Sequence, residues 1–277
     1  MAKQKKNAAL EKHLGTVVLP VAKKAALEAG ALIKRKFGKF KNLKFKADTS
    51  LVTEVDRESE KIIVTALRKK FPQHHILAEE TGLSQGNQTS AFRWHIDPLD
   101  GTTNFVHRFP MFCVSIGLEA EDLGPVLGVI YHPIHNELYW ASHGGGAFHG
   151  KNRIHVSKTK ELSQGLLSTG FSLRREKFFE DELATFGRMS KSSHALRRTG
   201  SAALDLTLVA TGQFDGFWER GLSPWDMAAA LAILGEAGGV YTRIDGKNFR
   251  LGDESIAATN GLIHQEFLAA LNGFDAD

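Results

Sequence analysis

The segment "DPLDGTTNF" sets Asp97 and Asp100 three residues apart, with Pro98 between them, and places Gly101, Thr102, Thr103 and Asn104 directly after them. Two uncompensated carboxylates this close repel, and one ordinarily takes up a proton. A divalent cation lets both stay ionised. Hard oxygen donors suit Mg²⁺, and the i,i+3 placement, with proline stiffening the turn, lets both carboxylates converge on one ion. The Leu99 carbonyl is a further oxygen donor. Gly101 lets the backbone approach a ligand closely, and a helix beginning at "TTNF" would aim its free N–H groups at an anion. Carboxylates, Mg²⁺ and N–H donors in one loop suggest phosphate chemistry. The same residues also suit an Asp-rich turn leading into a helix cap, and this segment alone leaves both readings open.

Three other acidic positions bear on the choice. "ILAEET" puts Glu79 and Glu80 at the exit of a strand, "LVTEVDRESE" puts Asp56 at a helix start, and "SPWDMAAA" puts Asp226 at another. Singly, each has an ordinary explanation. A carboxylate in the first turn of a helix complements the helix dipole, worth under ~1 kcal/mol when exposed, and a solvated loop accounts for the glutamates. The one cysteine, Cys113, lies in the apolar stretch "MFCVSIGL" and reads as a buried thiol. It allows no intrachain disulfide and no cysteine-based zinc site. The twelve histidines form no HExxH pattern.

The elements that must position these residues can be read from periodicity. Leu10–Lys36 reads as a long helix interrupted near Pro20, and "DRESEKIIVTALRKKF" as a second helix with acids first and bases last. "HHILAEE" reads as a strand running into a loop, "TGLSQGNQTS" as a polar loop, and "FRWHID", "MFCVSIGLEA", "PVLGVIYHP", "NELYWASH" and "GAFHG" as strands. Strands "GLLSTGFS", "FDGFWER" and "IAATN" then alternate with helices "KFFEDELATFGRM", "SAALDLTLVATG", "SPWDMAAALAILGEAGG" and "GLIHQEFLAALNG". This order predicts layered α and β elements in one domain over 1–277, with two halves of about 1–155 and 156–277. With 277 residues, 42% hydrophobic and 24% charged, the chain can bury a sizeable core, and disorder and collagen-like structure are excluded. The formal charge of +4 is compatible with an anionic substrate or RNA and decides neither. No signal peptide or membrane span is read, so the expectation is a cytoplasmic protein with no membrane partner.

"DPLDGTTNFVHRFP" together with "PWDMAAALAILGEAGG" resembles the two signature motifs of the inositol monophosphatase family. "TSLVTEVD", "AEET" and "RTGSAALDLTLVATGQFDGFWE" fall in the family's order and spacing, so the resemblance runs from about residue 20 to 265. It implies an α+β fold, the layered αβαβα sandwich of the inositol monophosphatase and fructose-1,6-bisphosphatase type, and Mg²⁺-dependent hydrolysis of a phosphate monoester without a covalent intermediate. By the same resemblance, Glu79, Asp97, the Leu99 carbonyl, Asp100 and Asp226 match metal ligands. Thr102 and Asp56 match the pair that orients and deprotonates the attacking water. Gly101 and Thr102 N–H groups match phosphate donors. Gly200, Ser201, Ala202, Glu219 and Asp226 match the region that holds the substrate's polyol, and Lys46 matches a basic residue of an active-site loop. Lithium inhibition and a homodimer are also implied.

Alternatives remain open on the sequence. "DPLDGT" is similar to the DxDGT loop of haloacid-dehalogenase phosphatases, but an extra residue separates the aspartates and the later motifs do not fit. Within the resembled family the substrate could be myo-inositol 1-phosphate, histidinol phosphate, fructose 1,6-bisphosphate or 3′-phosphoadenosine phosphate. Similar bacterial proteins also act as binding partners in transcription and ribosomal RNA synthesis, although the sequence holds no RRM or KH motif.

Overall fold

The computed structural model describes residues 2–40, 43–45, 51–87, 90–172 and 175–273. Lys46 lies outside them. The first half runs α1 (Ala2–His13), a π-helical turn (Leu14–Val18), α2 (Leu19–Lys36), β1 (Lys44–Phe45), β2 (Leu51–Val52), α3 (Glu54–Lys70), β3 (His75–Ala78), β4 (Gly82–Ser84), β5 (Phe92–Asp100), α4 (Thr102–Val106), β6 (Cys113–Ala120), β7 (Gly124–His132), β8 (Glu137–Ser142), β9 (Gly146–His149) and β10 (Asn152–Arg153). The second half runs β11 (Leu166–Thr169), α5 (Arg175–Ser192), β12 (Ala195–Arg197), α6 (Ala202–Ala210), β13 (Gly216–Arg220), α7 (Pro224–Glu236), β14 (Val240–Thr242), β15 (Ser255–Thr259) and α8 (His264–Asn272).

Two sheets carry the architecture. One has eight strands in the order β10-β9-β8-β7-β6-β5-β3-β4, and the other has five in the order β12-β11-β13-β15-β14. Helices α2 and α3 cover one face of the large sheet; α6 and α7 lie between the sheets, and α5 and α8 cover the outer face of the small one. The layers are therefore αβαβα, the order that the resemblance implies. Three apolar clusters fill the interfaces between layers, the middle one lying on both sides of α6 and α7. Ile33, Ile63, Trp94 and Ile116 pack under α2 and α3, Leu206, Phe217 and Leu231 lie around α6 and α7, and Leu167, Trp218 and Phe267 pack beneath α8.

Local chemistry explains where the observed elements depart from those read in the sequence. The N-terminal helix begins earlier than read, at Ala2, and is interrupted just ahead of Pro20 as expected, where Leu19 N–H reaches back to the Leu14 carbonyl. Proline gives no N–H to the preceding turn, and a wider π turn absorbs the mismatch. Within the stretch read as a polar loop, Gly82–Ser84 instead forms β4, with Ile76 opposite Ser84 and Ala78 opposite Gly82. Helix α3 starts earlier than its acidic run suggests, because Thr53 and Asp56 close a capping box.

The depth of α7 is set by two glycines. Gly117 in β6 and Gly128 in β7 are cross-strand partners. A Cβ at Gly128 would stand 1.9 Å from the Ala229 carbonyl oxygen, and one at Gly117 would stand 2.7 Å from the Ala229 nitrogen. The paired notch lets the Ala228–Ala229 backbone rest directly on the sheet.

His74 illustrates how the outer layer is held. It is buried and stacked on Phe71, and its Nδ1 accepts a hydrogen bond from Trp94 Nε1 at 3.1 Å. Burial, then the neighbouring positive groups His13, Arg68 and His75, push its pKa down to about 4. Protonation would put a hydrogen where Trp94 donates. A histidine whose folded pKa is depressed favours folding above its ordinary pKa, near 6.5, and that contribution is lost as pH falls toward the folded value. The unfolding free energy from urea titrations should therefore drop between pH 6.5 and 4, by up to about 1.4 kcal/mol per pH unit from this group. Replacing His74 by Gln should flatten that part of the profile, and an unchanged slope would refute the assignment.

Candidate active site

The acidic pair that opens the sequence lies at the end of β5, in a strand and not in a free turn. Asp97 pairs with Ser115 of β6 and Asp100 with Cys113, so three steps along β5 oppose two along β6. Strand side chains alternate between faces, and positions three apart would ordinarily point in opposite directions. The extra residue cancels that alternation. Leu99 stays in the layer beneath α2 and α3, while the Asp100 carboxylate turns to α6. Pro98 falls inside the shifted stretch, where its missing N–H costs no ladder bond; its carbonyl accepts from Ser59 Oγ at 2.9 Å.

Asp100 is tied down on one oxygen. Its Oδ2 accepts from Ser201 Oγ at 2.5 Å and from Ala203 N–H at 2.9 Å, the first turn of α6, and Cys113 Sγ lies 3.8 Å away. Burial pushes its pKa up to about 6, against the lowering effect of these donors. Asp97 is buried, and its Oδ1 accepts the Leu99 N–H at 2.9 Å. Burial first, then the charges of Glu79, Asp100 and Asp226, drive the Asp97 carboxyl well above the ordinary range, and Glu79 is within hydrogen-bonding reach of it. Glu79 is placed by its own N–H, which donates to the Ile96 carbonyl at the β3 exit. Asp226 comes from α7, where Pro224 and a second capping box, Ser223 with Asp226, fix the first turn.

Asp56 and Thr102 meet beside this group. Thr53 donates to Asp56 Oδ2 from both its N–H, at 2.8 Å, and its hydroxyl, at 2.6 Å. That leaves Asp56 Oδ1 for the Thr102 hydroxyl at 2.9 Å, which also lies 3.0 Å from the Leu99 carbonyl. Asp56 is fully buried, and burial raises its pKa while the Thr53 and Thr102 bonds hold it down. Gly101 has φ of 89°, left-handed backbone suited to glycine, and caps α4.

Of the residues matched to the polyol region, Gly200, Ser201 and Ala202 form the turn into α6, and Glu219 lies in β13. Ser201 is buried, with its hydroxyl directed to Asp100, so any contact this turn makes with a ligand falls to other groups. The Glu219 carboxyl is driven well above its usual range by burial, then by Asp205, Asp226, Asp100 and Glu182. Three groups of the site were not singled out in the sequence. Glu60 Oε2 accepts the Glu80 N–H at 2.8 Å. Asp205, pushed to about 8 by burial, accepts from Thr199 Oγ1 at 2.7 Å. Asn104 donates to two backbone carbonyls. A lone aspartate in the otherwise apolar run "SAALDLTLVATG" was the available signal for Asp205.

Among the described residues, no three acidic, histidine or cysteine side chains already stand at coordination geometry. The donor set nonetheless suits a hard cation by its chemistry. Asp97 is buried against three other carboxylates, Glu79, Asp100 and Asp226, whose charges destabilise its ionised form, and carboxylate oxygens are the donors Mg²⁺ prefers.

The fold and this acidic site define a phosphatase of the layered αβαβα type. The model of the inositol monophosphatase family matches residues 16–274, and the chain belongs to that family. It is 45% identical over 254 residues to the inositol-1-monophosphatase of Synechocystis sp., covering 91% of this chain and 88% of the relative. It is 39% identical to a putative Nus factor SuhB of Neisseria meningitidis serogroup B, over 92% of this chain and 97% of that one. The solved inositol monophosphatase from Anabaena superposes with a TM-score of 0.84 at 44% identity, covering 93% of this chain and 96% of that one.

Removing the Thr53 hydroxyl tests how Asp56 is held. Thr53→Val should cost about 1–2 kcal/mol in chemical unfolding through loss of the α3 cap. A cost within experimental error would show that the backbone bond alone fixes Asp56.

Proposed function

We propose that this protein hydrolyses phosphate monoesters of polyols and sugars, with myo-inositol 1-phosphate as the leading substrate and Mg²⁺ as the cofactor. The observation that carries the reading is that Glu79, Asp100 and Asp226 lie near enough to the buried Asp97 to raise its pKa, beside a threonine hydroxyl already bonded to a buried carboxylate. Glu79, Asp97, the Leu99 carbonyl, Asp100 and Asp226 would hold Mg²⁺. When bound, the ion supplies positive charge against the phosphate dianion and lowers the pKa of water.

The chain's own groups do the rest. Thr102 directs its hydroxyl proton toward Asp56, which leaves an oxygen lone pair to accept a hydrogen bond from a water and so orient it. Asp56, its far oxygen fixed by Thr53, receives the proton through Thr102. Gly101 and the N–H groups at the start of α4 bind phosphate oxygens. Glu219 and the Gly200–Ala202 turn face the polyol, with Ser201 serving through Asp100. No side chain is asked to become phosphorylated.

The similarity to a putative Nus factor supports a second role, as a partner in transcription, and the net charge of +4 is compatible with it. A homodimer and a cytoplasmic location belong to the same family-based reading; among the described residues no helix is long and apolar enough to cross a membrane.

The deciding assay is Mg²⁺-dependent phosphate release from myo-inositol 1-phosphate. The wild type should turn over and be inhibited by tens of millimolar LiCl, while Asp97→Asn and Asp226→Asn should lose about 100-fold or more in kcat and stay folded. Normal turnover in either variant would remove that residue from the metal site. No release by the wild type from this or any related ester would move the weight to the binding role, which such variants should then leave intact.

A further inference from the structure

Asn104 lies outside the acidic cluster, yet it spans the seam between the two halves of the site. Its Nδ2 donates to the Met111 carbonyl at 2.6 Å and to the Thr199 carbonyl at 2.8 Å, so both amide hydrogens are spent on backbone from opposite halves of the chain. Two glycines make room for this bridge. A Cβ at Gly200 would stand 3.0 Å from Asn104 Nδ2, and one at Gly101 would stand 2.9 Å from the Met111 carbonyl oxygen and 3.3 Å from that of Gly200. Gly101 and Gly200 both have positive φ, 89° and 85°. Thr199 is gripped from its other side as well, its hydroxyl donating to Asp205.

The segment immediately C-terminal to Thr199 fixes Asp100. Ser201 Oγ and Ala203 N–H both donate to Asp100 Oδ2, and the Ser201 hydroxyl in turn accepts the Leu204 N–H at 3.4 Å. A side-chain amide with two donors on one rigid plane can set the spacing of two carbonyls, which a hydroxyl or a carboxylate in its place cannot do.

We propose that Asn104 is a positioning residue that couples cation binding at the end of β5 to the ordering of the Thr199–Leu204 segment, by holding that segment in register with Asp100. The proposal rests on the metal-dependent reading above. In it, Asn104 keeps the β5 half and the α6 half of the site aligned as one unit.

Hydrogen–deuterium exchange of the full-length protein, with and without Mg²⁺ and with no substrate, tests this. In the wild type, Mg²⁺ should slow exchange about 10-fold both in 97–102 and in 199–204. In Asn104→Asp, of equal size but with no donors, protection of 97–102 should persist and protection of 199–204 should be lost. A merely structural asparagine would lower the unfolding midpoint and leave both responses in place, and that result would overturn the proposal. So would a wild type in which only 97–102 responds. If Asn104→Asp does not fold, Asn104→Ser takes its place, since a single short donor cannot reach both carbonyls; retention of both responses there refutes the coupling. If neither variant folds, the wild-type response of 199–204 decides. No protection anywhere in the wild type would overturn the metal reading underneath, a result distinct from failure of the coupling alone.

Discussion

One extra residue in β5 governs the arrangement of the site. Without it, Asp97 and Asp100 would lie on opposite faces of the large sheet, one of them in the apolar layer beneath α2 and α3, where an ionised carboxylate has no partner. With it, both turn to the layer that holds α6 and α7. Burial first, then the negative charge gathered there, pushes the Asp97 carboxyl well above its usual range. The scaffold around it is held by three apolar clusters, the middle one reaching both sheets around α6 and α7.

The carboxylates are separated from one another by the way each is anchored. Asp56 and Asp226 serve in capping boxes at the starts of α3 and α7, and Asp100 is bonded to the first turn of α6. Three helix N-termini therefore point their partial positive charge at one region. In Asp56 one carboxylate oxygen is spent on the cap and the other accepts from Thr102; in Asp226 it is Oδ2 that is spent on the cap. For Asp56 and Asp226 the helix-start explanation read in the sequence therefore holds, and the same turns bring both carboxylates to the acidic region.

Much of this was legible in the residues, but unevenly. Long amphipathic helices and alternating strands gave layered α and β elements, because burial on one face writes itself into periodicity; the αβαβα order came from the family resemblance. The two signature segments marked Asp97, Asp100 and Asp226. The strand bulge was not legible: "DPLD" has the composition of a turn, and only pairing against β6 distinguishes a bulged strand end from a turn. β4 was missed for a similar reason, since a three-residue edge strand is held by its neighbour and not by its own propensity. Ser201 was matched to ligand contact, and its bond to Asp100 depends on a segment about a hundred residues away. Asn104 and Asp205 act on loops that meet only in three dimensions, so their types alone gave little sign of what they hold.

The notch at Gly117 and Gly128 has a consequence for how such a protein can diversify. Because Ala228 and Ala229 lie against bare backbone, α7 has no side-chain cushion over which to slide or roll, and its first turn is fixed relative to the end of β5. Any side chain at either glycine would lift α7 and carry Asp226 away from the end of β5, so change at these two positions moves the whole helix.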